Sequence, residues 1–353
     1  MKTVFIGMSL EKHSTTEYFE AIYKEFINEG YQVVIFTDGQ RSGLVNKNAN
    51  PIILTWPSRR PTGLKDMLFF ASKIRLYKPS VVISNFGSVN VMTMMSFLLS
   101  VPKRIVWVHT LSTQLGQYSK FSKIRKNLIY LMATNLIANS NAMKKDIQNT
   151  NRFVDSKVKV IPNALEIKEV ENVQRDENLV VFAGRLHRIK GVDILIRAFK
   201  LVHEKVPSLK LKIVGPGEEV KMLSSLVTEL NLSEVISFEG PTGKEGVLKY
   251  FKSANFVVVP SRSEAFGYVV IEAMSLGTPV IGSDVDGILE IITHEKNGLL
   301  FKEGNAKDLS EKILDMKNLL LDSDEMRINA YELVNEKYNV NKIAKDFVEY
   351  ISV

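Results

Sequence analysis

Short β-branched and aromatic runs, apolar at nearly every position, alternate with amphipathic helical stretches along most of this chain. Successive side chains of a strand point to opposite faces of its sheet. A strand that is apolar at consecutive positions therefore has no face for water and belongs to a parallel sheet covered by helices on both sides. The pattern predicts strands at Val4–Ile6, Val33–Phe36, Ile52–Leu54, Val81–Ile83, Ile105–Val108, Leu136–Ala138 and Val158–Ile161. Between the first two, Thr16–Glu29 puts Phe19, Ile22, Tyr23, Phe26 and Ile27 on one helical face, and Gly30 ends the helix.

The alternation breaks once. Pro162 and the polar stretch from Glu166 to Asn178 have a linker's composition. Strands then resume at Leu179–Phe182, Leu211–Val214, Val235–Phe238, Phe256–Val259 and Pro279–Ile281, with helices between them and two more closing the chain. At 353 residues the chain is longer than the ~250–300 at which single cores stop growing. The expectation is two doubly wound α/β domains, residues 1–165 and 166–339, with a last helix at about 340–353 able to pack back on the first. Ligands of such sheets bind outside the carboxyl ends of the strands. With two such domains, the cleft they face is the expected site.

Composition narrows the chemistry. The absence of cysteine excludes disulfides, thiolate zinc sites and a cysteine nucleophile, and fits a reducing cytoplasm. The net charge of +7 is uneven: residues 1–163 hold 22 Lys and Arg against nine Asp and Glu, whereas residues 164–353 hold 24 against 30. The first half is thus the one suited to an anionic partner, whether nucleic acid, acidic lipid or a phosphorylated acceptor. The opening apolar run is too short for a signal peptide. The most apolar stretch, Val91–Val101, stops at Pro102-Lys103-Arg104 after about half of the ~20 residues of a membrane span, and is expected as a buried helix.

Two constellations stand where strands give way to helices. Gly184-Arg185-Leu186-His187-Arg188-Ile189-Lys190-Gly191 places two cations, Arg185 and Lys190, in a Gly-bounded loop before a helix N-terminus, which itself favours anions. A guanidinium fork and an ammonium point charge suit adjacent phosphates, although a solvated basic turn has the same composition. The second runs from Pro260-Ser261-Arg262-Ser263-Glu264-Ala265-Phe266-Gly267 into a helix carrying Glu272 and stopped by Gly277 and Pro279. Glu272 falls about five residues inside that helix, ~7.5 Å along its axis, and helical side chains lean back toward the N-terminus. One extended ligand could meet Glu264 and Glu272 together. Equally, the two can be a capping group and a satisfied helix carboxylate.

At this point the chain resembles a family. The run Glu264-Ala-Phe-Gly-Tyr-Val-Val-Ile-Glu272-Ala-Met-Ser-Leu-Gly-Thr-Pro-Val-Ile-Gly-Ser is similar to the signature of the retaining glycosyltransferases of family 4 (group 1), which have the GT-B fold. Gly184-Arg185-Leu186 with Lys190-Gly191 matches their phosphate-binding loop. Val158–Asn163, Ile213–Gly217, Phe238–Gly240 and Gly287–Glu290 follow in the expected order. Over residues 1–157 the resemblance is mostly one of architecture.

The resemblance implies a metal-independent retaining transfer of a hexose from a nucleoside diphosphate sugar, UDP-sugar favoured, to a glycolipid or polysaccharide-type acceptor. Arg185 and Lys190 would hold the diphosphate, Glu264 the sugar hydroxyls, and Glu272 the ribose diol. Gly184 and the backbone at Phe266 and Gly267 would touch the donor, and His109 would stand near the reacting sugar. Family members usually carry paired glycines after the first strand, where this chain reads His13-Ser14-Thr15-Thr16-Glu17. Thr15 and Thr16 cannot copy a glycine's close approach. Their hydroxyls could replace it as donors, toward nucleotide sugar or acceptor. That departure keeps open a catalytically silent GT-B subunit that binds a partner or sugar nucleotide.

No cofactor and no metal are expected. Asp284-Val285-Asp286 mimics a metal-binding Asp-x-Asp but follows a strand whose neighbouring loops already supply cations. The dinucleotide fingerprint is absent after the first strand, which argues against NAD(P) chemistry. Lys120, Lys123, Arg125 and Lys126 are interleaved with Ile124, Leu128 and Leu131, a pattern that fits either an anionic membrane surface or a solvated face over a core helix. Arg59-Arg60 could extend the patch. Nucleic acid is not expected, because no recognition motif appears. The expected location is the cytoplasm, peripheral to the inner membrane face.

Overall fold

A computed structural model describes residues 2–11, 14–38, 50–111, 120–150, 152–167, 173–322 and 324–352, without the side chains of 120, 121, 152 and 320–322. The chain divides into two compact units, Met1–Glu166 with Val340–Val353, and Ile167–Asn339. The expected linker lies partly outside the described residues, at 168–172.

The first unit runs β1 (Thr3–Gly7), α1 (Ser14–Asn28), β2 (Gln32–Thr37), β3 (Ile52–Thr55), α2 (Leu64–Tyr77), β4 (Val81–Ser84), α3 (Val89–Leu98), β5 (Lys103–Val108), α4 (Lys120–Met132), β6 (Asn135–Ala138), α5 (Asn141–Thr150) and β7 (Val158–Val160). Among the described residues these strands form one parallel sheet in the order β3-β2-β1-β4-β5-β6-β7. The apolar runs divide by parity, as the pleat requires. Val4, Ile6, Val33, Ile35, Val81 and Ile83 enter one core with α1, while Phe5, Val34, Phe36 and Val82 enter another with α2 and α3.

The second unit runs β8 (Asp176–Ala183), α6 (Val192–His203), β9 (Lys210–Val214), α7 (Val220–Glu229), β10 (Ile236–Gly240), α8 (Lys244–Ser253), β11 (Ala254–Val259), α9 (Tyr268–Met274), β12 (Val280–Ser283), α10 (Asp286–Leu289), β13 (Gly298–Phe301), α11 (Ala306–Asp322) and α12 (Glu325–Lys337). Its parallel sheet has the order β10-β9-β8-β11-β12-β13. Both strand orders reverse once, between β1 and β4 and between β8 and β11, and loops diverge at those points to leave a crevice.

Four local expectations need correction. Gly298–Phe301 is a sixth strand of the second sheet, paired with β12, which the sequence reading passed over. The strand after the linker begins at Asp176, so Asp176–Asn178 is not linker. Three helices rather than two follow the last strand. The Met-rich helix α3 is buried only in part. Val91 and Met92 are covered, whereas Phe97 and Leu98 are exposed, because the helix packs on the sheet with one side only.

The final helix α13 (Val340–Ser352) packs on α1 of the first unit. Val340 N donates to Leu165 O at 3.1 Å at its start. Phe347 is fully buried, with its ring 5.0 Å from Trp107 and 6.3 Å from Phe26. Phe347→Ala leaves a cavity under both rings and is expected to cost about 3–5 kcal/mol. Urea unfolding monitored by tryptophan fluorescence measures it, and a loss below about 1 kcal/mol would show that this helix is not part of the first unit's core.

Candidate active site

In the second unit the loops after β8 and β11 meet at the strand-order reversal. Gly184 closes β8, its N–H donating to Val214 O at 3.0 Å. Leu186 anchors the loop from below, buried, with its N–H on Pro216 O at 2.7 Å. A single 3-10 turn, Arg188–Lys190, follows, and Gly191 at φ +65° turns the chain into α6. A side chain at Gly191 would sit 2.0 Å from the carbonyl oxygen of Pro260, at the head of the β11 loop. Only glycine allows the two loops this approach.

Arg262 then ties them. Its two guanidinium nitrogens donate to both carboxylate oxygens of Asp193 at 2.8 Å each, and one also reaches Arg188 O at 2.7 Å. Burial alone would raise the Asp193 carboxyl, but the hydrogen bonds and charge of Arg262 outweigh it and leave the carboxyl below its usual range. Arg262 is in turn raised, chiefly by its hydrogen bonds to Asp193. Residue counting passed over this pair. An acid in the first turn of α6 and an Arg between two serines were the only signs of it.

The loops so fixed bring together Lys190 and Glu264, 2.6 Å apart, with side chains 28% and 15% exposed. Ser261 Oγ also reaches Glu264, at 3.4 Å. Arg185 is placed differently. It is largely exposed and pairs at 3.3 Å with Glu218, which His187 also approaches at 3.6 Å. Glu218 is a further residue that sequence reasoning did not single out.

Phe266 is buried, edge-on to Tyr268 and Tyr338 at 5.5 and 5.7 Å. Gly267, at φ +101°, precedes α9, and Glu272 is the fifth residue of that helix and nearly buried. Gly287 donates its N–H to Glu264 O at 3.2 Å, and a side chain there would meet that oxygen at 2.4 Å. Gly184, Lys190, Glu264, Phe266, Gly267 and Glu272 therefore belong to adjoining strand-end loops and the helix they feed, with Arg185 on the same loop as Lys190.

His109, Thr15 and Thr16 lie in the first unit. His109 follows β5, its ring stacked on Phe86 at 4.3 Å and flanked by Phe19 at 6.0 Å. Its Nε2 is buried with no hydrogen-bond partner among the described residues. Burial pushes the imidazole pKa down to about 3, so the ring is neutral at physiological pH. A cavity of about 220 Å³ borders it, walled also by Trp107, Arg125, Lys126 and Tyr130. Thr15 and Thr16 open α1. The Thr16 hydroxyl donates to Glu11 O at 2.6 Å, so its proton is committed to the backbone.

On α4, Lys123 and Arg125 are exposed alongside Ile124, Leu128 and Leu131, which are 58%, 50% and 44% exposed. Lys126 turns inward instead, over the Tyr130 ring at 5.6 Å, where burial lowers its pKa and Asp146 raises it. The Lys120 side chain lies outside the described residues. Among the described residues no group of three or more His, Asp or Glu is arranged to hold a metal ion, and Asp284 accepts the Glu303 N–H at 2.7 Å. No helix among them is long and apolar enough to cross a membrane.

With this geometry in view, comparison with known proteins defines the class. The family described as Glycosyl transferases group 1 matches residues 163–333, and the one described as Glycosyltransferase Family 4 matches residues 16–169. The uncharacterized glycosyltransferase MJ1059 of Methanocaldococcus jannaschii is 30% identical over 342 residues, covering 85% of this chain and 82% of its own. A second uncharacterized glycosyltransferase of that organism, MJ1607, is 32% identical over 264 residues, covering 69% and 67%. The crystal structure of Anabaena HepE in complex with UDP superposes with a TM-score of 0.82 at 20% identity, covering all of both chains. The fold is GT-B, with two Rossmann-like domains, and the protein is a glycosyltransferase. The chain belongs to the group 1 glycosyltransferases.

The buried imidazole predicts a pH dependence. Unfolded, His109 takes up a proton near 6.5; folded, only near 3. Between those values the unfolded state holds more protons, so acidification weakens the fold by up to about 1.4 kcal/mol per pH unit. Urea midpoints from pH 7 to pH 4, compared with His109→Asn, should show a steeper acid loss in the wild type. Parallel curves would mean that the ring is accessible to protons.

Proposed function

We propose that this glycosyltransferase moves a hexose with retention of configuration, without a metal, from a nucleoside diphosphate sugar to a hydroxyl of a glycolipid or polysaccharide-type acceptor. The observation that carries the reading is the Lys190–Glu264 pair, held between two strand-end loops at the reversal of the second sheet. A carboxylate already paired to an ammonium can accept sugar hydroxyls while the ammonium turns its remaining donors to phosphate. Glu272, nearly buried on the helix that the same loop feeds, is assigned the ribose diol. Arg185 exchanges Glu218 for the diphosphate. UDP is the favoured nucleotide, because HepE binds UDP and UDP-glucose in solved complexes.

In this reading the bond from the sugar's anomeric carbon to the diphosphate oxygen breaks as the acceptor oxygen bonds to the same face. The acceptor proton passes to the departing phosphate. Lys190 and Arg185 stabilise the charge that develops there, and such electrostatic stabilisation is usually what lowers an enzymatic barrier most. His109, kept neutral by burial, supplies an uncharged hydrogen-bonding group for a sugar hydroxyl.

Thermal shifts with UDP-, GDP- and ADP-sugars test the donor, since a ligand at 100 times its dissociation constant adds about 2.7 kcal/mol. A shift with one of them that Glu272→Ala abolishes is expected. Arg185→Ala should lower turnover by about 10²–10³. No shift with any nucleotide sugar, or wild-type turnover in Arg185→Ala, would overturn the assignment. Binding without transfer to any acceptor would instead indicate a silent subunit.

The site of action we place at an anionic membrane surface. Ile124, Leu128 and Leu131 do not enter a core, and Lys123 and Arg125 flank them. An exposed apolar stripe edged by cations is the pattern of an interfacial helix. Wild-type protein should sediment with phosphatidylglycerol vesicles, and Ile124→Asp with Leu128→Asp should remain in the supernatant. Equal sedimentation would leave α4 as an ordinary solvated helix.

A further inference from the structure

Arg262 stands two residues before Glu264 in the loop after β11, and its hydrogen bonds cross to the loop after β8. Its backbone N–H donates to Ile189 O at 2.8 Å, and its guanidinium donates to Arg188 O at 2.7 Å. Both carbonyls belong to the single 3-10 turn that carries Lys190. The same guanidinium forks onto both carboxylate oxygens of Asp193, in the first turn of α6, at 2.8 Å each. One residue thus fastens the Lys190 turn at two consecutive carbonyls and at the helix that follows. Lys190 comes directly after Ile189, and Glu264 comes two residues after Arg262. The junction therefore sets the separation across which Lys190 and Glu264 meet, 2.6 Å.

By type and place Arg262 resembles a third phosphate-binding cation beside Arg185 and Lys190. Its geometry gives it another task. Three of the five guanidinium N–H groups are spent on Arg188 O and Asp193. Asp193 offsets its charge, so the pair adds no net attraction for an anion. By charge alone Asp193 even opposes an anion at the start of α6. A planar fork on two oxygens fixes direction as well as distance, which an ammonium of equal charge does not. The two side chains are 29% and 28% exposed, so water screens this contact less than a surface ion pair.

We propose that Arg262, together with Asp193, is a positioning residue of the donor site. Without touching the nucleotide sugar, it orients the Lys190 turn so that the ammonium meets the diphosphate while still paired to Glu264. The proposal rests on the donor reading above and adds to it the residues that set diphosphate affinity through Lys190.

The test measures binding of UDP and of uridine to the full chain by calorimetry, so that the difference between them isolates the diphosphate. Arg262→Lys keeps the charge and removes the fork. It should weaken UDP by about tenfold, the scale of one hydrogen bond to a charged group, and leave uridine unchanged. Asp193→Asn makes the loop more positive by one charge, so a purely electrostatic role predicts tighter UDP binding. The positioning role predicts weaker binding, again with uridine unchanged. Lys190→Ala should lose UDP affinity by itself. Adding Arg262→Lys to it should lose no more, because the second change acts through the residue already removed. Tighter UDP binding by Asp193→Asn, equal weakening of UDP and uridine in Arg262→Lys, or full additivity with Lys190→Ala would each overturn the proposal. A wild type that binds neither UDP nor uridine overturns the donor reading and this proposal together. UDP binding that Lys190→Ala weakens and Arg262→Lys does not would overturn this one alone.

Discussion

Interior strands of both sheets, β1 and β4 in one unit and β11 and β12 in the other, are buried at every residue. Neither sheet can therefore leave a side to water, and helices must return across both faces. Returning helices require parallel pairing, and a parallel sheet grown outward from a middle strand reverses its order once. At the reversal the crossing connections go to opposite faces, which leaves backbone ends and side chains unpacked. The Lys190–Glu264 pair occupies that place in the second unit, and a cavity lined by Asn85 and Arg59-Arg60 occupies it in the first. The burial requirement of the sheets thus locates both places before any functional residue is considered.

Within the second unit, electrostatics act on a backbone that packing has already fixed. Gly191 lets the β8 loop touch Pro260 O, and Arg262 closes the junction through Asp193. Lys190 is then held against Glu264, while Arg185, further out, takes Glu218 as its partner. These cations stand in the half of the chain with net negative charge, so overall charge does not mark the site. Their position at strand ends does. His109 shows the opposite limit, where aromatic neighbours and burial keep a titratable ring uncharged.

Much of this was legible in advance because apolar runs bounded by polar loops report strands directly. Every strand read from the sequence is present, with no end moved by more than three residues. Gly298–Phe301 was missed because a short run beginning with glycine carries little strand signal on its own, and its pairing with β12 supplies the rest. Lys190, Glu264 and Glu272 were legible as motif residues. Asp193–Arg262 and Glu218 were not, since each acquires its role from a partner 33 to 69 residues away, and Asn85 was not, since its surroundings come from several loops. The reading of Lys126 as one of four surface cations also ignored which side of α4 it occupies; the helix turns it inward, over the Tyr130 ring.

By itself the sequence determined the alternation of strand and helix, the single break that yields two units, and the motif residues at the ends of β8 and β11. Local pattern suffices for these because the pleat and the helical turn repeat over a few residues. Tertiary structure alone decided which loops meet, which cations are already paired, that the Asn85 side chain is buried without a hydrogen-bond partner among the described residues, and that Ile124, Leu128 and Leu131 face outward. Those facts depend on which strands become neighbours, and strand order is set by burying whole sheets rather than by any short stretch of chain.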